Sequence, residues 1–518
     1  MVGGKSDIWS IAEADPARTA IIEADGSTLT FGALVDLADR MVVSMRDAGV
    51  ITGDVVASLQ TNRASAVAAY FAAVRAGCYF TPLNTRWTRS ELQYVLDDSG
   101  ATALIVATAL IVDERTVHAL GGDADELPHG AVRWRGATRR IDGWIDLCSL
   151  SPLDGPLRPS AAVGDRMHYT SGTTGRPKGV RRPLGTSTPA AAARRMLADA
   201  EDFGLHERPV HLVLGPLSHA APLNFTVLAL HLGGTVVLTE GWDSLDVLDR
   251  IASYRVTSTH MVPTMFERLL ALPDHVRSSA DVSSLRAVMH AAAPCPPATK
   301  RAMIEWFGPV LYEYYGATEG GGTVVNTQEW LLRPGTVGRA RRGARIEIRR
   351  DGRSCAAGET GDVHIAPAGG PFVYHGDPEK TAAAWCGDAF TVGDVGHLDD
   401  EGYLFLTGRT AEVIIRGGVN IYPAEIEAVL IGHPSVADVA VAGVPDAHWG
   451  ESVHAMVELI PGSTVGPDQL LADLRARCDA ELATYKHPTS IEIVTSLPRE
   501  PSGKLFRRRL ALPKGAQT

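Results

Sequence analysis

The chain has 518 residues, more than one ordinary core holds, and about 150 residues per domain sets a starting expectation of about three units. A formal net charge of −11 with 21% charged and 45% hydrophobic residues describes an ordinary globular protein and argues against wholesale binding of a phosphate backbone, so no nucleic-acid partner is expected. Six cysteines, Cys78, Cys148, Cys295, Cys355, Cys386 and Cys478, form no C-x-x-C pair, so neither a zinc knuckle nor a disulfide framework is suggested, and reduced thiols in a cytoplasmic protein are expected.

The first residues, MVGGKSDIWSIAEADPART, lack the apolar core of a signal peptide. Thr30 then precedes a helical pattern that stops at Gly49, and GDVVASLQTN reads as a buried strand. ASAVAAYFAAVRAG is an apolar helix ending at Gly77. Thr88 and Glu91 have the spacing of a capping box before LQYVLDDSG, and ATALIVA is the next strand. Thr188 and Pro189 are a good N-cap and first helical residue. The apolar stretch Leu223 to Leu238 contains His231 and two glycines and is short of a spanning length, so it reads as a buried helix followed by a strand. Strands alternating with helices continue through SLRAVMHAAAP and GPVLYEYYGATEGG, each expected as a strand leading into a ligand loop.

From about Gly335 short strands with frequent Gly and Asp suggest an antiparallel section. After Arg409 the pattern EVIIRGGVNIYPAEIEAVL, VADVAVAGVPD and SVHAMVELIPG reads as a separate small unit. The expected fold class is therefore α/β: a large domain over 1–409 with α/β layers and a β-barrel-like section, and a small α/β domain over 410–518.

YTSGTTGRPKG, Tyr169 to Gly179, raises the question of chemistry. Glycines let successive N–H groups point into one concavity, hydroxyls add donors, and Lys178 adds charge, which together suit a polyphosphate. A solvated turn has the same composition, and the string is not a Walker A loop. The complete string resembles the signature loop of the AMP-forming acyl/aryl-CoA synthetase superfamily. Four more stretches match in that family's order: YYGATEGG (Tyr314 to Gly321), TVGDVGHLDDEGYLFLTGR (Thr391 to Arg409), IIRGGVNIYPAEIE (Ile414 to Glu427) and LPREPSGKLFRRRL (Leu497 to Leu510).

The resemblance implies two coupled steps: a carboxylate attacks the α-phosphate of ATP to give acyl-AMP and pyrophosphate, and a thiol, usually of coenzyme A, displaces AMP. It implies that Thr170, Ser171, Gly172, Thr173, Thr174, Gly175 and Lys178 cradle the outer phosphates. Glu319 would be the carboxylate for Mg2+, with Thr174 as a second oxygen donor, and Thr318 would meet the α-phosphate. Tyr315 and Gly316 would lie at the adenine, with Ala292 in the small-residue segment Ala291 to Pro294, where many relatives carry glycine. Asp394 would bind the ribose hydroxyls, with Arg409 as a second contact and Glu412 at the hinge.

Lys504 would offset the repulsion between two anions and stabilise charge building on the α-phosphoryl oxygens. A mobile small domain would deliver it and then turn, so that Gly417 and Gly418 let pantetheine pass close to backbone. Lys486 is either a phosphate contact or a surface charge. His219 either borders the acid or is a structural histidine. The segment Ala220 to Leu230 is small or apolar and shows no amino-acid-selecting carboxylate, which favours a hydrophobic or aromatic acid. Fatty acid metabolism stays among the expectations. A carrier-protein thiol in place of CoA, and a homodimer, stay open.

Overall fold

The structure is a computed structural model that describes residues 7–106, 131–134, 145–146, 150, 152–153, 157, 162–170, 177–185, 187–409, 412–416, 419–446, 449–499, 505 and 510. Local signals act where the sequence puts them. Thr30 accepts the Ala33 N–H as an N-cap, Thr88 and Glu91 close a reciprocal capping box, and Thr188 caps a helix that begins on Pro189. Gly77, at φ 79°, ends the helix Ala64–Ala76 in the left-handed conformation that a side chain resists.

Two layered sheets build the large N-terminal part. The first has nine strands in the order Arg339–Ala340, Gly320–Asn326, Leu311–Ala317, Ala287–His290, Ser258–Met261, Val210–Val213, Thr235–Leu238, Thr19–Ile22 and Thr28–Thr30. Its middle is parallel and its edges antiparallel. The second has six strands, with Val55–Leu59 flanked in parallel by Tyr79–Pro82 and Ala103–Val106. The helix Ala64–Ala76 buries every residue except Ser65 and Arg75. It shares one apolar cluster with Val56 and Ile105 of the second sheet and Ile21 and Val236 of the first, so it is a common layer between them. A stripe this apolar on all sides is stable only when covered on all sides.

An antiparallel sheet follows, in which Arg345–Arg350 pairs with Gly361–Ala366, and Asp394–Leu398 joins Gly361–Ala366 to Leu404–Arg409. Ile346, Val363, Ile365, Phe372 and Phe390 form its core. The C-terminal domain is a five-stranded sheet built on the long pair Val436–Asp446 and Gly450–Leu459. Its helices Pro423–Leu430 and Pro467–Glu481 contribute Ile426, Leu470 and Leu474 to a separate core.

The apolar stretch at Leu223 is a helix, Ala220–His231, followed by the strand Thr235–Leu238, as its pattern predicts. Among the described residues no helix is long and apolar enough to cross a membrane. One expectation changes. GPVLYEYYGATEGG runs from a strand not into an open loop but into a tight turn: Leu311–Ala317 and Gly320–Asn326 form a hairpin whose turn is Thr318 and Glu319. The glycines permit it, because a Cβ on Gly322 would lie 2.9 Å from the Tyr315 carbonyl oxygen.

Candidate active site

Parallel strands deliver their following residues to one edge of a sheet. Val210–Val213 leads to His219, Ala287–His290 leads to Ala292, and Leu311–Ala317 carries Tyr315 and Gly316 toward the Thr318–Glu319 turn. Ala292 has φ 76°, a left-handed conformation that costs a non-glycine residue about 1–2 kcal/mol. The strain sits at the position where the resemblance expects adenine.

The signature stretch is a second hairpin. His168–Thr170 pairs antiparallel with Lys178–Arg181, setting Thr170 opposite Lys178 and Tyr169 opposite Gly179. The bare Gly179 backbone accommodates the Tyr169 ring, since a Cβ there would meet the ring at 3.0 Å. Tyr169 reaches on to donate to Asp98 at 2.6 Å. In the first strand of the hairpin His168 is 6% exposed, and burial, with Arg166 and His219 adding to it, depresses its pKa to about 3, so the imidazole is neutral. Ser171, Gly172, Thr173, Thr174 and Gly175 lie outside the described residues, as do Gly417, Gly418 and Lys504.

The two hairpins meet at Glu319. The strand Val373–Tyr374 pairs with Lys178–Arg181, and the Tyr374 hydroxyl donates to Glu319 Oε1 at 2.9 Å. Arg182 donates from Nη2 to the Glu319 carbonyl oxygen at 2.5 Å. Lys178 Nζ sits 5.0 Å from the centre of the Tyr374 ring. Glu319 is 7% exposed, and among the described residues its Oε2 accepts no hydrogen bond. A carboxylate whose second oxygen accepts no hydrogen bond among the described residues is a donor of the hard type that Mg2+ takes, so the residues present fit that ion.

A third junction joins this edge to the antiparallel sheet. Asp394 and Arg409 are directly opposite across their strands, with Arg409 Nε 2.8 Å from Asp394 Oδ1. Tyr315 donates its hydroxyl to the other oxygen at 2.7 Å. Burial, then Asp394, pushes the Tyr315 phenol pKa up, so it stays a donor.

The remaining expected residues are more dispersed. His219 is the N-cap residue of Ala220–His231, donating its backbone N–H to Pro216. On that helix only Ala220, Ala221 and Asn224 are less than fully buried. Ala220 and Asn224 are one turn apart on one face, and Asn224 Oδ1 is buried with no partner among the described residues. Phe225 on the same helix stacks on His260 at 5.4 Å, and His260 shares a 3.1 Å hydrogen bond with Tyr314. Lys486 is paired with Glu425 inside the C-terminal domain, and that hydrogen bond raises its pKa. Sequence reasoning passed over Tyr374, Arg182 and Asn224. Arg182 lies three residues past the signature stretch and carried a positional hint; Tyr374 carried none.

The chain matches the family model described as AMP-binding enzyme over residues 8–376 and that of the AMP-binding enzyme C-terminal domain over residues 425–504. A 2-succinylbenzoate–CoA ligase from Geobacillus kaustophilus (strain HTA426) is 34% identical over 513 residues, 97% of each chain. A feruloyl-CoA synthase from an Amycolatopsis species is 35% identical over 509 residues, 96% of this chain and 97% of that one. Among solved structures, the o-succinylbenzoate CoA synthetase of Bacillus subtilis in complex with its acyl-adenylate intermediate superposes with a TM-score of 0.80 at 27% identity, covering 99% of both chains. The same synthetase solved with ATP and a magnesium ion gives 0.79 at 28% identity, covering 98% of this chain and 99% of that one.

Proposed function

The chain belongs to the AMP-binding enzyme family and is an AMP-forming acid–CoA ligase, and from that premise we propose that its acid is aromatic. The carboxylate oxygen forms a bond to the α-phosphorus of ATP while the α–β bridging bond breaks and pyrophosphate leaves. The CoA sulfur then attacks the acyl carbon, and AMP leaves with the electrons of the acyl–oxygen bond.

The observation that carries the ligase premise is that side chains join three segments far apart in sequence: the signature hairpin through Arg182 and the Tyr374 strand to the Thr318–Glu319 turn, and that turn's strand through Tyr315 to the Asp394–Arg409 pair. In the proposed roles, the signature loop and Lys178 hold the outer phosphates, Tyr315 and the Ala292 loop hold adenine, and Asp394 with Arg409 holds the ribose. Thr318 is the α-phosphate donor. Glu319, with Thr174, would hold magnesium, which supplies charge neutralisation for the leaving pyrophosphate. Lys504 would meet the charge that develops on the α-phosphoryl oxygens, where a cation stabilises the transition state more than the ground state.

Support for an aromatic acid comes from the less buried face of Ala220–His231, which carries the small Ala220 and Ala221, and from the ring cluster of Phe225, His260 and Tyr314 next to it. Flat rings gain from offset or edge contacts with such a lining. Asn224 offers a polar group that can fix the orientation of a ring substituent.

A pyrophosphate-release screen over aliphatic, aromatic and polycyclic acids, repeated with CoA and followed by thioester detection, tests both halves. Aromatic acids should exceed aliphatic ones by at least about tenfold in kcat/KM, the scale that pocket contacts supply. A preference for aliphatic chains removes the aromatic reading. Adenylate formation with no CoA thioester from any good acid redirects the second step to a carrier-protein thiol.

A further inference from the structure

Glu319 is held from one side. Its Oε1 takes the Tyr374 hydroxyl at 2.9 Å, and its Oε2 accepts nothing among the described residues. A carboxylate with free rotation about its last bond offers either oxygen to a cation. One that is hydrogen-bonded at Oε1 offers Oε2 in one direction, and such outer partners commonly orient metal-binding carboxylates.

Tyr374 has the surroundings for that task. It is 9% exposed, and its ring meets Phe372 edge-on at 5.2 Å, which limits its rotation. Its backbone is paired with Val180, two residues past Lys178, and the Lys178 ammonium lies 5.0 Å from its ring centre. One side chain therefore touches the strand that closes the signature hairpin, the lysine of that hairpin, and the carboxylate on the neighbouring hairpin.

We propose that Tyr374 is a positioning residue for the phosphate and metal end of the nucleotide site: it fixes Glu319 so that Oε2 is the oxygen presented to the divalent cation, and it ties that carboxylate to the signature hairpin. The proposal rests on reading Glu319 as the magnesium carboxylate. It assigns Tyr374 no contact with substrate.

The test compares Tyr374→Phe and Glu319→Gln with the parent chain by calorimetric titration of ATP, once with Mg2+ and once with the ion chelated. Mn2+ binding to the ATP complex is followed in parallel by paramagnetic resonance. Phenylalanine keeps the ring, the Phe372 contact and the Lys178 contact and deletes only the hydroxyl. In Y374F the affinity for metal-free ATP should stay within about twofold, while the gain on adding Mg2+ and the affinity for Mn2+ fall by about tenfold, the scale of one hydrogen bond to a charged group. E319Q should lose the divalent-dependent gain altogether. A normal metal gain in E319Q overturns the reading of Glu319 and the proposal with it. Loss in E319Q with parental behaviour in Y374F overturns the role of Tyr374 alone. An equal fall with and without metal in Y374F also overturns it, because the hydroxyl would then shape the cleft rather than orient the carboxylate.

Discussion

Tyr315 and Asp394, 79 residues apart in the chain, meet hydroxyl to carboxylate at 2.7 Å. Arg409 takes the other carboxylate oxygen at 2.8 Å, so one buried acid joins the hairpin of the nine-stranded sheet to the end of the antiparallel sheet. A ribose bound there would share Asp394 with both partners, which the several lone pairs of a carboxylate allow. Tyr315→Phe removes a hydrogen bond to a charged group, about 1.5–3 kcal/mol. The expected result is a rise of about 10–100-fold in KM for ATP with a smaller change in kcat, read from pyrophosphate release against ATP concentration. Asp394→Ala should be worse, because it also strips Arg409 of its partner.

Lys504→Ala should lower pyrophosphate release by at least about 100-fold, the range of a single electrostatic group acting on a transition state. ATP affinity by calorimetry should change little, and thioester formation from preformed acyl-AMP should persist. Unchanged turnover would remove Lys504 from the first step.

Lys300 is fully buried and lies 2.6 Å from Glu313, itself 6% exposed, with the Trp330 ring 4.6 Å from the ammonium. Burial pulls the Lys300 pKa down and pushes that of Glu313 up, and each partner's charge opposes that pull on the other. Lys300→Met leaves an uncompensated buried carboxylate and should cost about 3–5 kcal/mol of stability. The double variant Lys300→Met with Glu313→Leu should recover more than half, because no orphaned charge remains. Urea denaturation midpoints decide this, and a double variant as unstable as the single one contradicts it.

Glu267, on the helix Pro263–Leu270, has its pKa pushed from the ordinary 4.5 up to about 7, first by burial and then by Asp438 of the C-terminal domain, with Arg499 and Arg268 opposing. A raised folded pKa means that the native state favours the neutral acid. That contribution is fully present below about pH 4.5 and is lost as pH rises through about 7. Glu267→Gln should therefore match the parent at pH 4.5 and exceed it by about 1–3 kcal/mol at pH 8. Denaturation at the two pH values measures the difference, and a variant less stable than its parent at pH 8 reverses the sign of the argument.

Asn224→Leu should raise KM about tenfold for aromatic acids carrying a ring hydroxyl or amino group and leave unsubstituted rings unaffected or improved. Equal effects on both classes would mean that Asn224 packs against the acid without bonding it.

Much of the fold was legible because its signals are short-range. The Thr88–Glu91 box and the Thr188–Pro189 start act within one helical turn, and the buried pattern from Leu223 gave the helix and the strand in order. The hairpin turn at Thr318–Glu319 was missed because it depends on Gly322 passing close to the Tyr315 carbonyl, a contact between two strands rather than along one. Lys300 was missed because a lysine on a helix is ordinarily solvated, and nothing nearby announces Glu313 as its partner.

The linear chain by itself determined the class of chemistry: a glycine- and hydroxyl-rich loop, spaced carboxylates and a late lysine are chemical inventories, and their order survives without coordinates. Only packing decided how those groups are held. Which oxygen of Glu319 is taken, that Tyr374 takes it, that Asp394 serves Tyr315 as well as Arg409, and that Lys486 is engaged by Glu425 all depend on side chains many residues apart in the chain. Such pairs come within bonding distance only after the sheets have stacked and excluded water, so no local pattern could encode them.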